Sequence, residues 1–454
     1  MKVIIVGAGR RGSRIAYKLS KEGADITFID SDKVRLDHVL QRFDCIGFLG
    51  SGTDLEILIE AKCDESDAFI AVTGNDEINI VACGIVSSQF HSIKTIAAIK
   101  NLGWSGKTGI MGSLLGISEI VNPNVVTAKS IYNIINNGIY NNVITFNDSS
   151  FILYNYPVVR FNNFENKTIS DIRKESKFNY IVAAIKNKKG TKVPNGSTLI
   201  KDGDVLSIVG KPKELSTIMS NVSTKQKEKV KIILVGGSMI TRFFLKLCNL
   251  AQLKNITLIE MKAEVCNEFS AEFPQILVLN ADITDDTILK DSNLTNHDLL
   301  ISLTEIDELN LITATYAKKV GIVRSIALIR QNINYLSMAG YLGIDSIIST
   351  TESTVETVLS KLRGPNVSSL HSIFGGLMEV YEYKIEKDTP VCNQKLSDIT
   401  MKEKGIIAAV CTKDLKQIIP NGNYVLKEGD SVLVSVAVGG VKSIQKLFTK
   451  AKKK

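Results

Sequence analysis

Lys2-Val3-Ile4-Ile5-Val6-Gly7-Ala8-Gly9-Arg10-Arg11-Gly12 opens the chain, and its reading decides the fold. The β-branched run Val3–Val6 predicts a buried strand, and Ile15, Ala16 and Leu19 predict one apolar face of a helix. Gly7-x-Gly9-x-x-Gly12 falls between them. The first glycine permits the tight turn, the second lets phosphate oxygens approach the backbone, and the third lets helix and strand pack closely. Free N–H groups and the helix dipole then face an anion. Asp30 ends the next apolar run, at the spacing of about 20 residues that a ribose-binding acid keeps from such glycines. An acid there accepts from the ribose hydroxyls and repels a 2′-phosphate, which favours NAD or an adenine nucleotide over NADP. The plainer alternative is a sterically required turn with no ligand. Arg10 and Arg11 oppose the helix dipole, so they point to a compensating phosphate, or else to two solvated arginines.

Outward from this stretch, the pattern repeats at an interval of about 230 residues. Val3–Gly7 returns as Ile232-Ile233-Leu234-Val235-Gly236, and Thr73-Gly74-Asn75-Asp76-Glu77-Ile78-Asn79 as Thr304-Glu305-Ile306-Asp307-Glu308-Leu309-Asn310. Leu115-Gly116-Ile117-Ser118 returns as Leu342-Gly343-Ile344-Asp345, and Pro194-Asn195-Gly196 as Pro420-Asn421-Gly422. The chain is a tandem duplication. Within each copy, apolar runs near 2–6, 25–29, 45–49, 68–73, 94–99 and 118–121 alternate with helical stretches. Such alternation predicts a parallel sheet with helices on both faces. Thereafter short strands separated by Gly and Pro turns predict a small, mostly antiparallel module. The fold class is therefore α/β: tandem Rossmann-like doubly wound parallel sheets, each followed by a small α+β module. The expected divisions are 1–138, 139–222, a linker at 223–231, 232–366 and 367–454.

Thr73 and Gly74 follow the fourth strand, at the carboxyl edge of the sheet where ligands of open α/β sheets collect. Asn75 or Asp76 can also cap the helix that follows, and the two roles are compatible. The second copy reads Gly236-Gly237-Ser238-Met239-Ile240-Thr241 and keeps only the first of the spaced glycines, although Glu260 holds the acidic position. Ser238 and Thr241 are expected to crowd the phosphate approach and leave that site weak, altered or empty.

Composition excludes several other classes. A chain of 454 residues that is 44% hydrophobic and 22% charged has globular composition. Part of its net charge of +8 lies in the tail Lys450-Ala451-Lys452-Lys453-Lys454, which reads as a solvated terminus, with contact to an anionic membrane face as the alternative. No basic stretch interleaves with aromatics, so nucleic acid is not an expected partner. Seven cysteines without a Cys-x-x-Cys pair read as reduced cytosolic thiols, most of them packed as small core residues. The apolar start is too short for a signal peptide, and no run reaches the roughly 18–20 apolar residues of a membrane span. His38, His91, His297 and His371 show no paired spacing, no metal-ligand cluster emerges, and no serine or cysteine sits on a nucleophile elbow. A nucleotide site without chemistry beside it reads as a sensor, with an NAD-dependent oxidoreductase of unrecognised substrate as the alternative.

Gly7-Ala8-Gly9-x-x-Gly12, Asp30, Ala71-Val72-Thr73-x-x-Asp76-Glu77-x-Asn79, Val367-Ser368-Ser369-Leu370 and the doubled layout resemble the TrkA family. Its members are peripheral regulatory subunits of Trk potassium-uptake systems, built from paired RCK (or KTN) and TrkA-C domains. The resemblance implies binding of NAD(H) or ATP/ADP, a homo-oligomeric ring, and an integral-membrane Trk-type potassium channel or transporter as partner. It implies no catalysis, and a cytoplasmic protein attached to the membrane through that partner. By position, Gly7, Ala8, Gly9, Arg10, Arg11, Gly12, Asp30, Thr73 and Gly74 would contact the nucleotide. Lys100 stands where Ala97-Ala98-Ile99-Lys100 replaces an Ala-Arg-x-Arg strand, and it joins that set. Ser51 and Asn124 replace acidic residues found in many relatives, which removes the basis for an inter-subunit metal contact at Asn124.

Overall fold

The computed structural model describes residues 1–90, 92–101, 115–136, 143–146, 148–158, 164–176, 178–187, 190–218, 230–285, 287–288, 292–363, 366–374, 377–401 and 404–449. His91, the boundary residues Asn137-Gly138 and Gly364-Pro365, most of the 223–231 linker and the tail from Lys450 lie outside the described residues.

The first unit runs β1 (Lys2–Val6), α1 (Arg10–Lys21), β2 (Asp25–Asp30), α2 (Lys33–Arg42), β3 (Ile46–Leu49), α3 (Leu55–Glu60), β4 (Ala68–Ala71), α4 (Asp76–Gln89), β5 (Lys94–Ala98), β6 (Glu119–Val121) and α5 (Pro123–Asn136). Its strands form a parallel sheet in the order β3-β2-β1-β4-β5-β6. The order reverses between β1 and β4, so a crevice opens at their carboxyl ends. Then come β7 (Val143–Thr145), β8 (Ile152–Pro157), α6 (Ile169–Glu175), β9 (Tyr180–Asn187), β10 (Gly190–Lys192), β11 (Val205–Gly210) and α7 (Pro212–Ile218). These strands pair antiparallel in the order β10-β9-β11-β8-β7.

The second copy repeats the plan. Its first part is β12 (Ile232–Val235), α8 (Met239–Leu247), α9 (Leu250–Leu253), β13 (Ile256–Glu260), α10 (Ala263–Glu272), β14 (Leu277–Asn280), α11 (Ser292–Thr295), β15 (Leu299–Ser302), α12 (Asp307–Lys319), β16 (Arg324–Ile329), α13 (Ala339–Leu342), β17 (Ser346–Ser349) and α14 (Thr350–Arg363). The parallel order is β14-β13-β12-β15-β16-β17, the same topology as in the first unit. The last part holds β18 (Val367–Ile373), β19 (Met378–Lys384), β20 (Gly405–Cys411), β21 (Gln417–Ile418), β22 (Ser431–Ala437) and α15 (Val441–Phe448), antiparallel in the order β18-β19-β22-β20-β21.

The copies exchange their final helices. Val355, Val358, Leu359 and Leu362 of α14 form a stripe at i, i+3, i+4 and i+7 and join the core of Ile15, Ala16 and Leu19 on α1. Reciprocally, Ala128, Ile131 and Ile135 of α5 complete the core of Ile240, Phe243 and Phe244 on α8. The two antiparallel modules also share a core, with Phe151 and Leu153 beside Met378, Val380 and Leu433. Sequence division into consecutive domains conceals this interleaving, because helix periodicity says which face is apolar but not which copy covers it.

All seven cysteines are free thiols. Burial pushes the Cys63 thiol up to about 12 and the Cys83 thiol higher still. Only the thiolate alkylates readily. Iodoacetamide at pH 8 is therefore expected to label half-buried Cys392 while sparing Cys63 and Cys83 in the folded protein, as peptide mass spectrometry reads. Labelling of Cys63 at the rate of Cys392 would contradict this packing.

Candidate functional site

The crevice at the β1/β4 switch point gathers the glycines. Gly7 has φ +104°, and a Cβ there would lie 3.1 Å from the Thr73 nitrogen, so the β1–α1 turn rests against the β4–α4 loop. A Cβ on Gly12 would fall 1.9 Å from the Gly7 carbonyl oxygen, the close helix–strand contact its position predicts. Gly9 and Gly74 are different: nothing lies within 4 Å of the Cβ either would carry. Gly9 is the N-cap of α1 and supplies no side-chain cap, so the first N–H groups of α1 face this open space without a side-chain partner. That cradle fits a phosphate group.

Asp30 is buried at the rim. Its Oδ2 accepts from the Ala8 N–H at 2.6 Å and its Oδ1 from the Asp32 N–H at 2.8 Å. A carboxylate offers about four acceptor sites, so it can hold this turn and still receive hydroxyl groups. Thr73 faces inward instead. Its N–H and hydroxyl both donate to Asn79 Oδ1, at 3.0 and 2.7 Å, while Asn79 Nδ2 donates to the Ala98 carbonyl at 2.7 Å. Asn75, not Asp76, caps α4, accepting from the Ile78 N–H at 2.8 Å.

Asp76 reaches across to the next loop. Its Oδ2 accepts from the N–H groups of Lys100 and Asn101 at 2.9 and 2.7 Å, which brings exposed Lys100 to the same edge of the sheet. Arg11 is half-buried beside exposed Arg10. Burial, and next the neighbouring Arg10, hold its guanidinium below the usual value, with Asp76 acting in the opposite sense. The structure thus places Gly7, Ala8, Gly9, Gly12, Asp30, Gly74 and Lys100 around one crevice, with Arg10 and Arg11 at its helix. Thr73 contributes its backbone position rather than a free hydroxyl. The roles of Asn79 and Asp76 as clamps were not legible from one copy. Their recurrence was the available signal: Asn310 accepts from the Thr304 N–H at 2.9 Å, and Asp307 accepts from the N–H groups of Arg330, Gln331 and Asn332.

The corresponding crevice of the second copy is built differently. Ser238 caps α8 and accepts from the Thr241 N–H at 3.3 Å, so the helix start already has an acceptor. Thr241 is fully buried, and its hydroxyl donates to the Gly236 carbonyl at 2.6 Å, replacing the bare glycine contact seen at Gly12. Glu305 stands at the position of Gly74 and pairs with half-buried Arg330 at 3.6 Å, so this crevice carries its own anion. Glu260 accepts from the Gly237 N–H at 2.6 Å, as Asp30 does from Ala8. The acidic residue therefore serves the turn in both copies, whether or not the glycines are kept.

The TrkA-N domain profile matches residues 3–123 and 232–350, and the TrkA-C domain profile matches 157–223 and 380–449. The chain belongs to the TrkA family. Its TrkA-N segments coincide with the two parallel sheets, and its TrkA-C segments cover the later strands of the antiparallel modules, starting after β7 and most of β8 in one and after β18 in the other. It is 28% identical over 454 residues to Trk system potassium uptake protein TrkA homolog 2 of Methanosarcina mazei, covering 99% of this chain and all of that one. With Trk system potassium uptake protein TrkA of Halomonas elongata the identity is 25%, over 99% of this chain and 98% of the relative. Among solved structures, the GsuK RCK domain aligns over 98% of this chain and 94% of its own, with a TM-score of 0.55 at 16% identity. The GsuK channel bound to NAD aligns over 98% of this TrkA-family chain and 78% of its own, with a TM-score of 0.56 at 16% identity. At that identity the likeness is one of fold.

Proposed function

We propose that this chain is a cytoplasmic nucleotide-binding regulatory subunit that controls an integral-membrane Trk-type potassium channel or transporter. The observation that carries this reading is the contrast between the copies of a TrkA-family chain. One crevice has an uncapped helix start and open space at Gly9 and Gly74; in the other Ser238 caps the helix start and Glu305, paired with Arg330, stands in place of Gly74. Among the described residues no helix is long and apolar enough to cross a membrane, so the partner supplies the pore. The names of its relatives point to potassium uptake, and a fold neighbour was solved with NAD.

In this reading NAD(H) or ATP/ADP lies with its phosphates over Gly7–Gly12 and its ribose hydroxyls on Asp30. Gly74 leaves room for the ligand at the β4–α4 loop, and Lys100 and Arg11 complement the phosphate charge. The second crevice is a structural counterpart that holds little or no nucleotide. Single-site allosteric coupling is typically about 1–3 kcal/mol, whereas moving a gate from 1:99 to 99:1 takes about 5.5 kcal/mol. Several copies in a homo-oligomeric ring supply that total. No nucleic acid partner and no catalytic step enter the scheme. Affinity purification from a native membrane extract tests it: a co-purifying polytopic membrane protein supports the reading, and NADH oxidation with a carbonyl substrate would replace it by the oxidoreductase.

If Arg10 or Arg11 reads a terminal phosphate, their alanine variants should weaken ATP more than NADH, because only ATP carries a γ-phosphate. A lost charge-assisted contact at a partly exposed site costs about 1.5–3 kcal/mol, roughly 10- to 150-fold in affinity. Titration calorimetry reads this directly. Equal loss for both ligands would make the arginines a general feature of the helix start.

A further inference from the structure

The helix that carries the cradle, α1, bears charges on the face away from it. Arg14, Lys18 and Glu22 recur at i, i+4 and i+8, one stripe running from the first turns of α1 to its C-cap. They meet charges on α14 and the strand beyond it. Arg14 Nε pairs with Glu352 Oε1, and Lys18 Nζ lies 3.0 Å from Glu352 and 3.9 Å from Glu356. Glu22 pairs with Arg363, which also lies 3.4 Å from Glu379 of β19, and the Tyr381 hydroxyl donates to Glu379. His371 of β18 faces Glu356 at 3.5 Å. The side chains of Lys18 and Arg363 are each only 3% exposed. Three residues separate Arg363 from Val367, the first of β18. The ladder therefore ties the phosphate-facing helix directly to the C-terminal module.

Two observations show that this is more than packing. The pseudo-equivalent contact in the other half, α8 against α5, is apolar: Phe243 and Leu247 stand where Arg14 and Lys18 do, packed with Val125, Ala128 and Ile131. The charged interface is thus paired with the uncapped cradle and the apolar one with the helix start that Ser238 caps. Moreover, Arg363 Nε and Nη1 and the Tyr383 hydroxyl are buried without a hydrogen-bond partner. Both Glu22 and Glu379 are placed on Arg363 Nη2, so the guanidinium keeps two further donors in reach of the same carboxylates.

We propose that α1 and the Arg14–Lys18–Glu22 ladder transmit nucleotide occupancy at Gly9–Gly12 to the C-terminal module at β18 and β19. This rests on the nucleotide reading of the crevice. The test is hydrogen–deuterium exchange of peptides covering 367–384 in the full chain, with and without ATP and NADH, alongside calorimetric affinity. Wild type should change exchange in 367–384 by about twofold or more on binding. Glu22→Gln, and Arg14→Gln at the more accessible end, should bind nucleotide within about threefold of wild type yet lose more than half of that response. Full response in both variants, or nucleotide binding by wild type with unchanged 367–384, would overturn this proposal alone. Absence of nucleotide binding by wild type would overturn the crevice reading and this proposal with it.

Discussion

Gly9→Val is expected to leave the fold intact and weaken nucleotide binding by roughly 10- to 150-fold, through loss of charge-assisted phosphate contacts. Gly12→Ala should do the reverse in kind, destabilising the first unit by about 1–3 kcal/mol through overpacking. The distinction is geometric. A Cβ on Gly9 meets nothing within 4 Å, so the only thing it can displace is a ligand. A Cβ on Gly12 lies 1.9 Å from backbone oxygen, and neither helix nor strand yields without breaking the core of Ile15 and Ile5. Urea denaturation separates the two, since only Gly12→Ala shifts the midpoint. A destabilised Gly9→Val would mean that the open space is not where the backbone places it.

Arg363→Met should be the most destabilising single change at the interleaved interface, at about 3–5 kcal/mol. It strands Glu22 and Glu379, with side chains 8% and 5% exposed, beside one another and beneath Tyr381 and Tyr383. Burial already pushes the Glu22 carboxyl up, and Arg363 is the nearest opposing charge, with Lys18 farther off. Without the arginine the Glu22 carboxyl loses its main opposing charge, so its folded-state value lies further above its unfolded one. Stability is then fully present below the unfolded carboxyl value and lost as pH rises through the folded one. The variant is accordingly expected to be closest to wild type near pH 5 and to fall away toward pH 8. Denaturation midpoints across that range read the trend, and a deficit that shrinks with rising pH would contradict the assignment.

Much of this molecule was legible in one dimension. The Val3–Val6 run, its return at Ile232–Val235 and the glycines between strand and helix place both parallel sheets, because burial in a parallel sheet demands continuous β-branched runs. The exchange of α5 and α14 was not legible, since a helix stripe such as Val355-Val358-Leu359 fits either copy. Within the crevice, Gly9 and Gly12 were assigned from spacing alone. Thr73 was assigned with them, but the direction of its hydroxyl was not legible, because a hydroxyl at a sheet edge can turn toward a ligand or toward a neighbour, and here buried Asn79 takes it. Asp30 was read for its ribose role only, while its carboxylate also holds Ala8 and Asp32. Backbone acceptors of that kind leave no mark in the sequence beyond the acid itself. The loss of glycines at Ser238 and Thr241 did signal an altered second crevice, although the Glu305–Arg330 pair at its edge needed the β15 and β16 loops side by side.

Titration calorimetry of the full chain with NADH and with ATP counts the nucleotide sites, and so decides whether one copy of the duplication binds and the other does not. The expected result is one nucleotide per chain, strongly reduced binding in Gly9→Val, and unchanged binding when Ser238, its counterpart in the second copy, is replaced by valine. Two equivalent nucleotides per chain, or binding that survives in Gly9→Val and is lost in Ser238→Val, would contradict it.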